Sequence, residues 1–307
     1  MKTASRMKKA QNKRIAYCYA MLAWPLLLFL VFYVYLNLSS FALAFQYYYI
    51  DGTTEWAGIV NFKAFLSQLT QDGALLRTSL INSLLMYAIN LVICMPLYMF
   101  FAYVLFHKAP LRAFIKFSFL LPMILSGMIY ALIFKMLAGE PLQRVMQGFG
   151  FADFPDLISD TRYAFYTSLG YMIWISFGTS MIVYPNAMNA IDPGIFESAK
   201  IDGVRGMFDE LRYIILPLIY PTISTFLITG FASILSNGGV IVTFYRYIAP
   251  PELYNMGYFY IVKIFQATNF TGYPMLAAGG IIMTLIVAPL TIGLKALLER
   301  FNPVRDV

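Results

Sequence analysis

The feature that most constrains this chain is a series of apolar runs, each long enough to cross a membrane. Residues 15–38 contain no charged side chain, and a helix needs about 20 apolar residues to cross the roughly 30 Å hydrocarbon layer. Five more runs follow, at about 79–106, 113–137, 163–184, 214–236 and 273–298, each uncharged through its middle. Composition agrees: 60% of residues are hydrophobic and 12% charged, against about 45–50% and about 25% in soluble domains. That balance excludes a disordered chain and argues against a soluble enzyme. We expect an all-α integral membrane protein of six transmembrane helices, surrounded by lipid.

Charge placement orients it. Residues 1–14 carry Lys2, Arg6, Lys8, Lys9, Lys13 and Arg14 and no acid. The run after them exceeds the 7–15 residues of a signal-peptide core, so it reads as a retained first span. Six spans put both ends on one side. That side collects 15 of the 22 basic residues: the tail 1–14, Lys108 to Lys116, the loop 185–213 and the end of the chain, including 299–307. The other side holds 7. Cytoplasmic loops are enriched in Lys and Arg, so both termini are expected inside. The net charge of +7 is thus topological and implies no nucleic acid. Of the outer segments, 45–78 contains a short helix near 61–66 and 138–162 is acidic and turn-rich. The third, 237–272, is rich in interfacial aromatics.

Few residues could carry chemistry. Cys18 and Cys94 lie inside apolar runs, which suits neither a disulfide framework nor a metal cluster. His107, the one histidine, is read as a helix-end residue. With no carboxylate near it in sequence it makes a poor base or ligand. There is no clustered carboxylate set and no Gly-x-x-x-x-Gly-Lys-Ser/Thr loop to cradle ATP phosphates. No catalytic or metal site is assigned, and any ATPase must be a separate chain.

The loop 185–213 is patterned more closely than a connector. Asp192 suits an N-cap and Pro193 the first helical position. Glu197 complements the positive end of the helix dipole, and Gly203 can take the left-handed conformation that stops a helix. These residues predict a short helix over about 193–202. Phe208, Leu211 and Ile214 then lead a second helix into Leu216-Pro217.

Glu197-Ser198-Ala199-Lys200-Ile201-Asp202-Gly203, with Leu216-Pro217 and Pro221 beyond, resembles the EAA loop of binding-protein-dependent ABC importer permeases, most of all the carbohydrate-uptake type. Ser198 replaces the usual Ala, and the gap from Gly203 to Ile214 is one residue longer than the family's pattern. Gly58 to Phe62, Asn82-Ser83, Phe119 to Pro122, and Gly238-Gly239 with Thr243 fall where such permeases carry similar patterns. The first of these resembles the first permease of a heterodimeric pair. The resemblance implies a type I importer permease fold with N and C termini inside. Its coupling helix would use Phe196, Glu197, Ser198, Ala199, Lys200, Asp202 and Gly203 to dock into a groove of an ATP-hydrolysing subunit. It further implies a second permease, two cytoplasmic ATPase subunits that bind ATP and Mg, and an extracytoplasmic solute-binding protein, with no cofactor on this chain.

A route through the bundle is sketched by uncharged polar and aromatic residues within the spans: Asn82, Tyr87, Asn90, Tyr130, Tyr171, Trp174, Thr179, Ser180, Thr225, Thr229 and Ser233. Hydroxyls and amides pair with a neutral hydroxylated ligand and rings stack on its C–H faces. The same residues also serve as interhelical glue. An ion-coupled secondary transporter or channel is the rival class, but it usually needs an ionisable residue within a span. An ABC permease for another solute is a further alternative. Pro96, Pro122, Pro185, Pro217, Pro221 and Pro289 are expected to kink or end helices.

Overall fold

The computed structural model describes residues 2–49, 51–71, 74–107, 110, 112–125, 127–266 and 272–303. Lys108, Ser126, residues 267–271 of the third outer segment and residues 304–307 of the C-terminal tail lie outside the described residues. The chain is mostly helical and divides into two compact units, residues 1–67 with 267–282, and residues 68–266 with 283–307.

In the first unit, helix Lys2–Leu28, a π-helical stretch Phe29–Tyr35 and helix Leu36–Leu43 follow without interruption. The first span is therefore helical from Lys2, well before residue 15, and runs on to Leu43. Strands β1 (Gln46–Tyr48) and β2 (Thr54–Trp56) form an antiparallel hairpin in which Tyr47 opposes Glu55. This hairpin is a small departure from the all-α expectation. Helix Val60–Thr70 confirms the short helix expected near 61–66. Buried Asn61 joins the two elements, its amide donating to Ala44 O at 2.9 Å and Gln46 O at 2.8 Å. Phe65, fully buried, lies against Gly279 at the start of helix Tyr273–Arg300.

The second unit holds the rest of the helices. Helix Leu75–Ile89, a π-helical stretch Asn90–Cys94 and helix Met95–Phe106 form one rod. The expected span 113–137 is instead two helices, Arg112–Ile124 and Gly127–Ala138. The bend falls at Leu125, before Gly127, a residue that favours helix poorly. Helix Glu140–Gly148 adds order to the turn-rich segment. Helix Thr161–Asn189 is capped by Asp160, whose carboxyl the Arg162 guanidinium holds below the usual carboxylate range.

The expected span 214–236 also breaks, with Gly206–Leu218 and Tyr220–Ala232 meeting at 73°. Pro217 and Pro221 flank the break, and Pro221 cannot donate to the carbonyl four residues back. Pro185 and Pro289, by contrast, sit inside continuous helices; spanning helices tolerate proline where neighbouring groups satisfy the freed backbone. Three described helices are long and apolar enough to cross a membrane, Tyr17–Leu43, Leu75–Phe106 and Tyr273–Arg300, and the bent pair counted as one span makes four.

Two polar side chains of helix Leu75–Ile89 fasten the segment 237–266 to it. Asn82 donates to the carbonyls of Glu252 and Tyr254 at 2.7 and 2.8 Å, and Ser83 Oγ accepts the Met256 N–H at 2.9 Å. Buried Asn255 closes the turn, donating to Asn237 O and accepting the Tyr258 N–H. Here Gly238 and Gly257 approach so closely that a Cβ on Gly238 would stand 2.4 Å from Tyr258 N. Gly238→Ala is therefore expected to destabilise by about 1–3 kcal/mol through overpacking. Gly170→Ala, in a helix with open space around its Cβ position, should stabilise by about 0.5–1 kcal/mol. Thermal unfolding in detergent, compared for both variants, measures the difference.

Candidate functional site

The helix expected over 193–202 is present as Pro193–Ile201. Asp192 Oδ1 accepts the Gly194 N–H at 2.9 Å, which caps the start. At the other end Gly203 has φ +94°. Val204 N–H bonds Ala199 O at 3.0 Å and Gly203 N–H bonds Lys200 O at 3.3 Å, the paired closure of a Schellman motif. Glu197, Ser198, Lys200, Asp202 and Gly203 are exposed. Phe196 instead turns inward, its ring 5.6 Å from that of Phe106, and Ala199 is half-buried. Ile201, not singled out by the sequence reading, is 87% exposed. The outward face thus runs through Glu197, Ser198, Lys200, Ile201 and Asp202, with Phe196 as its anchor.

The expected second helix is present as Gly206–Asp209 and a π-helical stretch, Glu210–Ile215. A π-turn takes up one residue more than an α-turn. Within this stretch Ile214 and Ile215 are buried. The lone histidine sits at a helix end as read from the sequence, and the fold brings it a carboxylate partner from far along the chain. His107 Nε2 lies 3.0 Å from Glu210 Oε2, and Tyr103 Oη donates to the same oxygen at 2.8 Å. More than a hundred positions separate Glu210 from either residue, so local spacing gives no sign of the contact.

A cavity of about 330 Å³ opens among the helices of the second unit, within the usual range of ligand pockets, about 300–1,000 Å³. Of the residues sketched as a route, it gathers Tyr87, Asn90, Thr179, Ser180, Thr229 and Ser233. It adds Tyr98, Tyr184 and Phe226, which the sequence reading did not select, and among the described residues no Asp, Glu, Lys, Arg or His lines it. Tyr87 Oη donates to Leu227 O at 3.2 Å. Tyr98 Oη, buried on the wall, has no hydrogen-bond partner among the described residues. The remaining route residues lie elsewhere. Asn82 is engaged with Glu252 and Tyr254, while Tyr130, Tyr171 and Trp174 join Phe134 and Phe244 in a separate aromatic cluster. Thr225 Oγ1 donates to Pro221 O on an exposed face.

No protein-family model matches the chain. It is 29% identical over 247 residues to the polygalacturonan/rhamnogalacturonan transport system permease protein YteP of Bacillus subtilis, covering 75% of this chain and 74% of that one. It is 25% identical to the galactooligosaccharides transport system permease protein GanP of the same organism, covering 72% of this chain and 54% of the other. Its fold matches a chain of a bacterial alginate ABC transporter, solved in complex with an alginate pentasaccharide-bound periplasmic protein. The TM-score is 0.76 at 18% identity, covering 95% of this chain and 97% of that one. The chain is thus homologous to permeases of sugar ABC transport systems and shares the fold of an ABC importer.

The ends of the short helix are the first test. Asp192→Ala removes its cap at about 1 kcal/mol. Amide hydrogen exchange across residues 194–196 is expected to quicken in this variant and to stay unchanged in helix Thr161–Asn189.

Proposed function

We propose that this chain is a membrane permease subunit of an ATP-driven, binding-protein-dependent importer that carries an oligosaccharide. The observation that carries the proposal is the helix Pro193–Ile201, closed at both ends and outward-facing along Glu197 to Asp202. Homology to sugar-transport permeases supports the same reading. The chain is non-catalytic, so hydrolysis belongs to two separate cytoplasmic subunits that bind ATP and Mg. A second, related permease and an extracytoplasmic solute-binding protein would complete the complex.

In this reading the bundle has six spans with both termini inside. The broken pairs Arg112–Ile124 with Gly127–Ala138, and Gly206–Leu218 with Tyr220–Ala232, each count as one. Helix Thr161–Asn189 is the fourth, and the membrane is the cytoplasmic membrane of a prokaryote. Cysteines placed at the exposed positions Thr53 and Asp153 should label from outside, and one at Asp202 should not. Outside labelling at Asp202 would contradict this topology and the docking role with it.

The chemistry of the cavity favours a neutral sugar unit. Its wall offers amide and hydroxyl groups from Asn90, Thr179, Ser180, Thr229 and Ser233 beside the rings of Tyr87, Tyr98 and Phe226. A buried hydroxyl without a partner, as at Tyr98, is unfavourable by about 1–3 kcal/mol, and an opening of the wall beside Asn90 and Ser176 would let a ligand hydroxyl relieve it. Tyr98→Phe should therefore weaken apparent affinity for the solute about 2–10-fold, the equivalent of one net hydrogen bond, leaving membrane abundance unchanged. Uptake over a panel of neutral and uronate oligosaccharides checks both substrate class and this residue.

Docking is tested on the short helix. Gly203→Val places a β-branched residue at φ +94°, a strain of about 1–2 kcal/mol. Nothing stands within 4 Å of its Cβ position, so that penalty is conformational within the chain itself. Glu197→Lys inverts a charge on the outward face. Either change should leave the subunit in the membrane and lower ATPase association and uptake strongly. Wild-type uptake by both variants would reduce the loop to a connector.

A further inference from the structure

We infer that Glu210, with Tyr103 and His107, forms a latch through which movement of helix Pro193–Ile201 is passed to helix Met95–Phe106; this deepens, and rests on, the importer reading. Three observations converge on it. First, Glu210 is 8% exposed, and a carboxyl removed from water is unfavourable unless its oxygens are hydrogen-bonded. Its described side-chain partners are the Tyr103 hydroxyl and His107 Nε2, which meet on one oxygen. These two sit one helical turn apart with ring centroids 4.1 Å from each other, so both face the same acceptor.

Second, Glu210 opens the π-helical stretch Glu210–Ile215. One residue more or less in a helix turns everything before it by about 100° relative to the residues after it. The stretch therefore lets Glu210 meet the end of the neighbouring helix while Ile214 and Ile215 stay in the core. Short π-helical insertions are frequent at functional sites. Third, the short helix touches the same helix end by a second route, the Phe196–Phe106 ring contact. The segments before and after Gly203 thus both bear on residues 103–107. Displacing the short helix pulls on residues 103–107 through both contacts, Phe196 with Phe106 directly and Glu210 through the short link 202–209. An apolar residue would fill the space with less desolvation, so stability alone gives no reason for a carboxyl here.

The three residues are positioning residues, and the test uses the full importer complex reconstituted with its ATPase subunits. Glu210→Leu, His107→Leu, Tyr103→Phe and His107→Gln are compared with the wild type. The measurements are membrane abundance, solute moved per ATP hydrolysed, and mobility of a spin label on Ile201→Cys. The expected result for both Leu variants is normal abundance, a roughly tenfold fall in solute moved per ATP and a more mobile label. His107→Gln, which keeps a donor toward Glu210, should restore most of the ratio. A wild-type ratio in both Leu variants overturns the latch, and so does a fallen ratio with an unchanged label. If the Leu variants fail to reach the membrane, Tyr103→Phe decides, and an unaltered ratio there overturns the proposal. Wild-type uptake that needs no ATP would sink the importer reading instead, leaving the label to report on the contact itself.

Discussion

The contact of Phe196 with Phe106 sets the geometry on which the rest of the structure's function depends. A nine-residue helix held only by its ends would have no fixed orientation, since isolated helices this short are marginal in water. Burying one ring in the cluster that includes Met181, Tyr184, Met188 and Ile215 orients the helix. Glu197, Ser198, Lys200 and Asp202 are then left exposed. The Asp192 cap and the Schellman closure at Gly203 hold its length. Anchor and caps together fix the position and length of this short helix, which in the proposed role would serve as a rigid lever between subunits.

Elsewhere, buried amides and hydroxyls determine how the irregular parts hold together. Asn61 ties the β1–β2 hairpin to its neighbouring helix, and Asn82, Ser83 and Asn255 pin the segment 237–266. Backbone groups in such turns have no helix to satisfy them, and unpaired they would be strongly unfavourable in an apolar setting. Asn82 consequently serves the fold, where its span position alone left ligand contact equally open. The uncharged cavity obeys the same constraint: its polar groups come from Ser, Thr, Asn and Tyr, which a hydrocarbon-facing bundle tolerates far better than ions.

Much of this was legible in the sequence because it is local. Apolar runs have a length, and caps have a residue type and a spacing, so Asp192, Pro193 and Gly203 bounded the short helix to within one residue. Gly203 did so through its backbone conformation, which few other residues share. Side-chain direction was less legible. Phe196 and Glu197 are neighbours with opposite fates, and only the position of Phe106 decides which one turns inward. Contacts between distant positions were invisible altogether: Glu210 with His107, and the grouping of Tyr98 with Ser180 and Ser233. The breaks at Leu125 and Ile219 lay inside runs apolar and long enough to be read as one span each, although Pro122, Pro217 and Pro221 marked where helices would bend.

In the proposed mechanism transport is driven by ATP hydrolysed on another chain, its work delivered through helix Pro193–Ile201. Proteoliposomes holding the full complex, with binding protein and oligosaccharide on one side and ATP on the other, test it most directly. The account predicts uptake that requires ATP and persists when ionophores collapse the proton and sodium gradients. Uptake that proceeds without ATP and stops when those gradients are dissipated would contradict it.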